Sequence, residues 1–172
     1  SAASDVYKRQ GKLLTVNTDS DLSGVLAGAD GLLAQVTAAR DNGGQNWSAS
    51  VMLYDAEGGG IASWSAAVDE AMELARVEGV ALTEPLSAVS DVEAMQTKSE
   101  RIMARYMRPV WFAGRAPAFD ADSQSWEEYA TAIKPLTANV AADACLVTPT
   151  IWGPELGTLM GRLCNAAVTV AD

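Results

Sequence analysis

Short apolar runs alternate with longer amphipathic segments along most of this chain, and this alternation limits the possible folds more than any other feature. Inside these short runs, polar residues do not occupy every second position. This pattern is expected for strands that are covered on both faces of the sheet. Strands that alternate with helices of about 12 to 20 residues form a mostly parallel sheet through right-handed crossovers. We therefore predict an α/β fold with a mostly parallel sheet of about 4–5 strands and helices on both faces.

Apolar spacing and turn residues predict the individual elements. Leu, Val and Ala at helical spacing predict one helix from Asp21 to Arg40, capped by Asp19 or Ser20. Pro135 is expected to kink or break its helix, because proline removes a backbone hydrogen bond. Strands are expected at residues 12–16, 47–54, 79–83, 109–113 and 145–151, and the other helices at 63–77, after Ser90, after Ser125 and after Gly153-Pro154.

Two serines have the spacing of a capping box, in which a Ser side chain and an acidic side chain three residues later each cap the other's backbone N–H. They are Ser90, followed by Glu93, and Ser125, followed by Glu128.

The last helix is predicted to pack an apolar stripe on the sheet. That stripe consists of Leu156, Leu159, Met160, Leu163, Ala167 and Val170.

The first ten residues, SAASDVYKRQ, read as one frame of a transposon adapter used in sequencing libraries. We expect residues 1–10 to be a translated scar on a sequence assembled from environmental DNA; a genuine polar N-terminus is the alternative. The remaining residues, 11–172, are long enough for a single α/β domain with one sizeable core. We expect this domain to be truncated at both ends.

Composition excludes several function classes. The net charge of −10 opposes direct binding to nucleic acid and to anionic membranes, and no apolar run is long enough to insert into a bilayer. The chain has no histidine, which removes the usual general base and the commonest metal ligand. Cys145 and Cys164 fit no zinc or redox spacing, so we expect reduced, buried thiols.

Three acidic loops are the candidate sites for chemistry. The turn at 55–60 (DAEGGG) lacks the residues of a phosphate-binding loop, and residues 17–21 lack the glycine and the closing Glu of a calcium loop. The third loop carries the carboxylates that could act in acid–base or metal chemistry, although helix capping is the simpler interpretation. These carboxylates are Asp120, Asp122, Glu127 and Glu128.

The five tryptophans lie at or near predicted element ends, where large residues usually lock those ends into the core. An exposed one could instead anchor a protein interface. We assign no catalytic, cofactor-binding or metal-binding residue and no cofactor. The tryptophans are Trp47, Trp64, Trp111, Trp126 and Trp152.

The order of elements resembles the central α/β region of contractile tail sheath proteins of bacteriophages, especially those of Mu-like and related myophages. Three stretches, spread over about 120 residues, carry the resemblance. The loops at 55–60 and 114–122 match nothing in the family and leave local roles open. The three stretches are residues 38–47 (AARDNGGQNW), residues 77–85 (VEGVALTEP) and residues 148–168, from Thr148-Pro149 through Trp152-Gly153 to Val168.

The resemblance implies a structural subunit of the virion, made in the bacterial host cytoplasm. Family members assemble with copies of themselves around the tail tube protein and contract to drive DNA delivery, and extended terminal arms link neighbouring subunits. Those arms would lie outside this sequence, so the chain is expected to fold without polymerising into ordered tubes. A small α/β metal- or ligand-binding protein or hydrolase that uses the strand-end carboxylates remains the alternative.

Overall fold

The protein is described by a computed structural model that covers residues 10–54 and 60–165. The chain divides into two compact units, residues 1–76 with 157–172, and residues 77–156. Within the described residues each unit contains its own small sheet, one with two strands and one with three. The predicted α/β class is confirmed, but the single, mostly parallel sheet of 4–5 strands is wrong.

In the first unit, β1 (Leu13–Asn17) pairs antiparallel with β2 (Ser48–Met52). The helices α1 (Leu22–Val25) and α2 (Asp30–Asn42) lie between these strands in the chain, and α3 (Gly60–Leu74) follows β2. Buried side chains of this unit form one apolar cluster: Val16, Leu22, Leu26, Val36, Ala39, Trp47 and Val51.

The first predicted helix is broken into two helices in the structure. Gly28 has φ +82°, a conformation that glycine adopts without steric cost, and the predicted helix 21–40 is divided there. Asp21, not Asp19 or Ser20, caps α1 by accepting from Gly24 N–H. After α2 the chain returns to the end of β1. The hydrogen bond from Thr18 N–H to the Trp47 carbonyl shows this return.

The last helix, α6 (Glu155–Cys164), begins immediately after Pro154, as predicted, but its contacts differ from the prediction. From Gly157 onward it belongs to the first unit, where it packs on α2 through glycines. The predicted apolar stripe is confirmed only in part: Leu156 is buried and Met160 packs against the apolar cluster, but Leu163 is exposed. Ala167 and Val170 lie outside the described residues.

The second unit is a parallel sheet in the order β3-β4-β5, with β3 (Gly79–Pro85), β4 (Trp111–Ala118) and β5 (Cys145–Thr150). Helix α4 (Val89–Tyr106) connects β3 to β4, and α5 (Trp126–Ile133) connects β4 to β5. The predicted strand–helix–strand pattern is therefore confirmed here. The buried apolar residues of this unit are Leu82, Leu86, Val92, Met95, Ile102, Val110, Phe112, Ala113, Ala116, Tyr129, Leu136 and Leu156.

Several boundaries in the second unit differ from the predictions. Strand β4 continues to Ala118 through a segment predicted to be an irregular loop from Gly114 onward. The start of α4 is stabilised by Asp91, which accepts from Ser87 and Ala88 N–H, so the predicted Ser90 capping box is wrong. The break at Pro135 is confirmed, because α5 ends at Ile133 and a 3-10 turn follows.

The two cysteines have different environments. Cys145 is partly buried, and its thiol donates to the Val92 carbonyl at 3.7 Å. Burial, reinforced by Asp143, raises the pKa of Cys145 to about 11. Cys164 is exposed, so the prediction of a buried thiol is wrong for that residue.

Across residues 10–54 and 60–165, no helix has the length and apolarity needed to cross a membrane.

Candidate functional site

Ligands of open α/β sheets bind beyond the carboxyl ends of the strands, and this edge of the second unit contains the candidate carboxylates. Strands β4 and β5 end together, because Ala118 pairs with Thr150 and Phe119 N–H donates to the Thr150 carbonyl at 2.8 Å. The loop after β4 and the turn after β5 therefore start side by side at this edge.

The Tyr129 hydroxyl joins the ends of these two strands. It donates to the Pro117 carbonyl at 2.8 Å, lies 3.3 Å from the Thr150 carbonyl and accepts from Thr150 N–H at 2.9 Å. The Thr150 hydroxyl donates to the Ala116 carbonyl at 2.8 Å. The bonds to Thr150 N–H and to the Ala116 carbonyl are buried, so they satisfy backbone groups that water does not reach. Tyr129 was not among the candidate residues that the sequence predicted.

The carboxylates of Asp120 and Glu128, after β4, are engaged in local hydrogen bonds. Asp120 accepts from the Ser123 hydroxyl and from Asp122 N–H, and these two bonds lower the pKa of the Asp120 carboxyl group. The Ser125–Glu128 capping box is confirmed: Ser125 N–H donates to Glu128 at 2.7 Å, and Glu128 N–H donates to Ser125 Oγ at 3.2 Å.

The remaining two candidates, Asp122 and Glu127, are exposed. Within the described residues, no three His, Cys, Asp or Glu side chains come together in a way that could hold a metal ion. Helix capping therefore accounts for Glu128, whereas Asp120 stabilises the turn at residues 120–123 before the helix. Asp122 and Glu127 contribute negative charge to the surface.

Glu155 occupies the turn after β5 and was not predicted to be a site residue. Its carboxylate accepts from the N–H groups of Ile151 at 2.8 Å and Gly153 at 3.0 Å, and also from Trp152 N–H. Partial burial acts to raise the pKa of Glu155, but the backbone donors outweigh it and the net pKa is lowered. A Glu directly after Gly-Pro at a helix start was the available sequence signal.

Exposed aromatic side chains cover the same edge. Trp126 is 55% exposed and stacks on Phe119, with ring centroids 4.2 Å apart and an interplanar angle of 15°. Phe119 also meets the Tyr129 ring edge-on at 5.4 Å. Trp152, two residues beyond the end of β5, is 82% exposed. The edge therefore combines aromatic surface with carboxylates.

The other two candidate loops add no reactive group. Residues 55–59 lie outside the described residues. In the 17–21 loop, the Asn17 side chain accepts from Asp19 N–H at 2.9 Å and from the Ser20 hydroxyl at 3.3 Å. Together with the Asp21 cap, these contacts show a turn that leads into α1, which confirms the capping interpretation.

The chain is similar to a structural protein of a phage tail. It is 32% identical, over 168 residues, to a protein of Haemophilus phage HP1 (strain HP1c1) that is provisionally named a tail sheath protein. The match covers 95% of this chain and 44% of that relative, so the chain spans less than half of the relative's length. The predicted resemblance to phage tail sheath proteins is confirmed.

A family model described as "DUF2586, N-terminal domain" matches residues 1–172, and the chain belongs to this family. No solved structure matches the chain.

Proposed function

We propose that this chain is a structural domain of a phage tail sheath protein, and that the whole protein assembles with other copies of itself around the tail tube. The observation that carries the proposal is the 32% identity to the Haemophilus phage HP1 protein, which extends over 95% of the chain. Identity over nearly the whole chain is unlike a match confined to a short motif. It supports an equivalent fold and an equivalent place in the tail.

The chemistry of the sheet edge favours a structural role over an enzymatic one. Asp120 and Glu128 are engaged by backbone and hydroxyl donors, and Glu155 is engaged by three backbone N–H groups. The donors lower the pKa of Asp120 and of Glu155, and a carboxyl group with a lowered pKa is a poor general base. We therefore propose that the chain has no catalytic activity and no cofactor.

The finer elements of the proposal concern assembly and contraction. The sheath subunit is made in the bacterial host cytoplasm, is incorporated into the virion tail, binds the tail tube protein and contracts to drive DNA delivery. Direct binding of nucleic acid or insertion into a membrane is not part of this role, in agreement with the net charge of −10.

The test is assembly of the gene product together with a ligand assay. The gene that encodes this chain, recovered with its flanking DNA and expressed whole, is expected to yield helical tubes in electron micrographs. A tail-tube gene is expected immediately downstream. Calorimetry of the 172-residue chain with divalent cations and nucleotides should give no binding heat. A neighbouring metabolic operon, or saturable heat with a cation, would refute the proposal in favour of a metal-dependent enzyme or binding protein.

A further inference from the structure

We propose that the second unit makes a head-to-tail contact with a second copy of the chain, in which the end of α4 on one copy binds the carboxyl edge of the sheet on the next. This inference rests on the proposed assembly function and assigns it two surfaces. The basic surface consists of Arg101, Arg105, Tyr106, Met107 and Arg108. The acidic aromatic surface consists of Phe119, Asp120, Asp122, Trp126 and Glu127.

The basic surface is a concentration of positive charge in an acidic protein. Arg105 and Arg108 both approach the Tyr106 ring, each with its guanidinium carbon 5.1 Å from the ring centroid. Arg101 lies one helical turn before Arg105 and is exposed. Arg101, Arg105 and Arg108 therefore lie within about two turns at the end of α4.

Met107 has the most exposed apolar side chain of this surface, with 78% of it accessible to solvent. It ends α4 in the left-handed conformation, with φ +53°, where glycine is the usual residue because a Cβ is disfavoured there. Folding alone would therefore favour glycine at this position. The methionine side chain adds apolar contact area next to two guanidinium groups.

The acidic aromatic surface has complementary chemistry. Guanidinium groups stack on tryptophan rings and pair with carboxylates, and methionine sulfur makes favourable contacts with aromatic rings. Trp126 and Glu127 are adjacent at the start of α5 and both are exposed, while Asp122 is exposed in the preceding loop. The two surfaces thus pair Arg and Met with Trp and carboxylate.

The topology of the parallel sheet places these surfaces at opposite edges of the same unit. Helix α4 ends at Tyr106 and β4 starts at Trp111, so the basic surface lies beside the amino edge of the sheet. The acidic aromatic surface follows the end of β4 at Ala118, at the carboxyl edge. Complementary surfaces at opposite ends give a heterologous contact, which repeats into a ring or a helical filament. This is the symmetry that a stacked sheath requires.

Sedimentation velocity tests the contact. The 172-residue chain is measured at concentrations up to about 1 mM, at which weak complexes are populated. The sedimentation coefficient is expected to rise with concentration, through short reversible oligomers and not ordered tubes. The double charge reversals Arg101→Glu/Arg105→Glu and Asp122→Arg/Glu127→Arg are each expected to abolish this rise. An equal mixture of the two double variants is expected to restore it, because each supplies the surface that the other lacks.

The matched control is Arg76→Glu/Arg162→Glu, which changes the net charge as the first double variant does but affects exposed residues outside both surfaces. It is expected to associate like the unmodified chain. Met107→Gly removes the apolar side chain and the disfavoured φ together, so it is expected to fold at least as stably while associating more weakly. Circular dichroism and thermal unfolding of every variant separate lost association from lost folding.

Salt dependence and the double variants together distinguish charge pairing from stacking of two aromatic edges. Loss of the rise in about 1 M NaCl, where charges are screened within about 3 Å, supports charge pairing. Association that survives in both double variants would indicate aromatic stacking and would overturn the proposal, as would a chain that stays monomeric throughout. If whole-protein tubes form while this chain stays monomeric, the contact fails but the sheath function stands. If the chain associates in the expected way but no tubes form, the sheath function fails.

Discussion

The two units of this protein show two different kinds of stabilising contact. In the first unit, α2 and α6 approach so closely that the contact requires glycine: a Cβ on Gly157 would lie 2.0 Å from the Gln35 carbonyl oxygen, and one on Gly161 would lie 2.3 Å from the Ala39 carbonyl oxygen. In the second unit, polar side chains such as Tyr129 and Thr150 bond the ends of strands. The helix contact of the first unit therefore requires glycines, whereas the strand ends of the second unit are joined by side-chain hydrogen bonds.

Hydrogen bonds at both ends of the helix pair complete the first unit's arrangement. The buried Gln35 side chain accepts from Gly157 N–H at 2.7 Å, and the Asn165 side chain donates to the Asn42 carbonyl at 3.1 Å. The first four backbone N–H groups of a helix have no acceptor within that helix, and Gln35 supplies an acceptor for one of those groups in α6. Because contacts advance in the same direction on both helices, α2 and α6 run parallel.

The largest expected effect is at the helix contact. Gly157→Ala places a Cβ within 2.0 Å of backbone, which cannot rotate away as a side chain can, so the helices must separate. Overpacking of this kind costs about 3 kcal/mol in the free energy of unfolding, measured by urea denaturation. Gly31→Ala on α2 is the control, because nothing lies within 4 Å of the added Cβ; it should stabilise the helix by about 0.5 to 1 kcal/mol. Equal effects of both changes would refute the close contact.

The second effect tests the polar bonds of the second unit. Tyr129→Phe keeps the ring but removes the hydroxyl that Thr150 N–H and the Pro117 carbonyl require. Leaving the buried Thr150 N–H without a partner should reduce the free energy of unfolding by about 2 kcal/mol. Trp126→Phe, on the same helix and exposed, should change it by less than about 0.5 kcal/mol. If Tyr129→Phe is neutral, the strand ends are not held by this hydroxyl.

The smallest effect is the pH-dependent one at the turn after β5. The folded-state pKa of Glu155 is lowered, so its stabilisation is present above the unfolded pKa of about 4.3 and is lost as the pH falls through the folded value. Glu155→Gln should therefore cost about 1 kcal/mol at pH 7, a value reduced for partial exposure. The difference from the unmodified chain should disappear in acid. Glu93→Gln, on the exposed surface of α4, is the control; a pH-independent difference for Glu155→Gln would argue against the backbone cap.

Local sequence signals predicted the second unit better than the first. Ser125 with Glu128 was found as a capping box, and Pro135 as a break, because both effects act within a few residues. Ser90 has the same spacing but lies inside a helix that Asp91 caps, so spacing alone did not identify the competing acceptor. In the first unit, one helix was predicted from Asp21 to Arg40, but the chain is divided between α1 and α2, where Gly28 has a positive φ.

The site residues show the same division. Glu128 was recognised as a cap from neighbouring residues. Tyr129 and Glu155 were missed because their partners lie on a different strand or across a turn that the sequence does not place. Trp126 and Trp152 were recognised only as possible interface residues, since exposure is a property of the folded surface.

The sequence by itself determined the α/β class, most elements and the family, because hydrophobic periodicity, caps and residue identity are local or directly readable. The tertiary structure decided that there are two sheets, that α6 packs through glycines on α2, and that basic and acidic surfaces lie at opposite edges of one sheet. Those features depend on which distant residues meet. Such contacts form only in the folded chain, where close backbone packing, buried hydrogen bonds and the placement of charge on the surface must all be compatible.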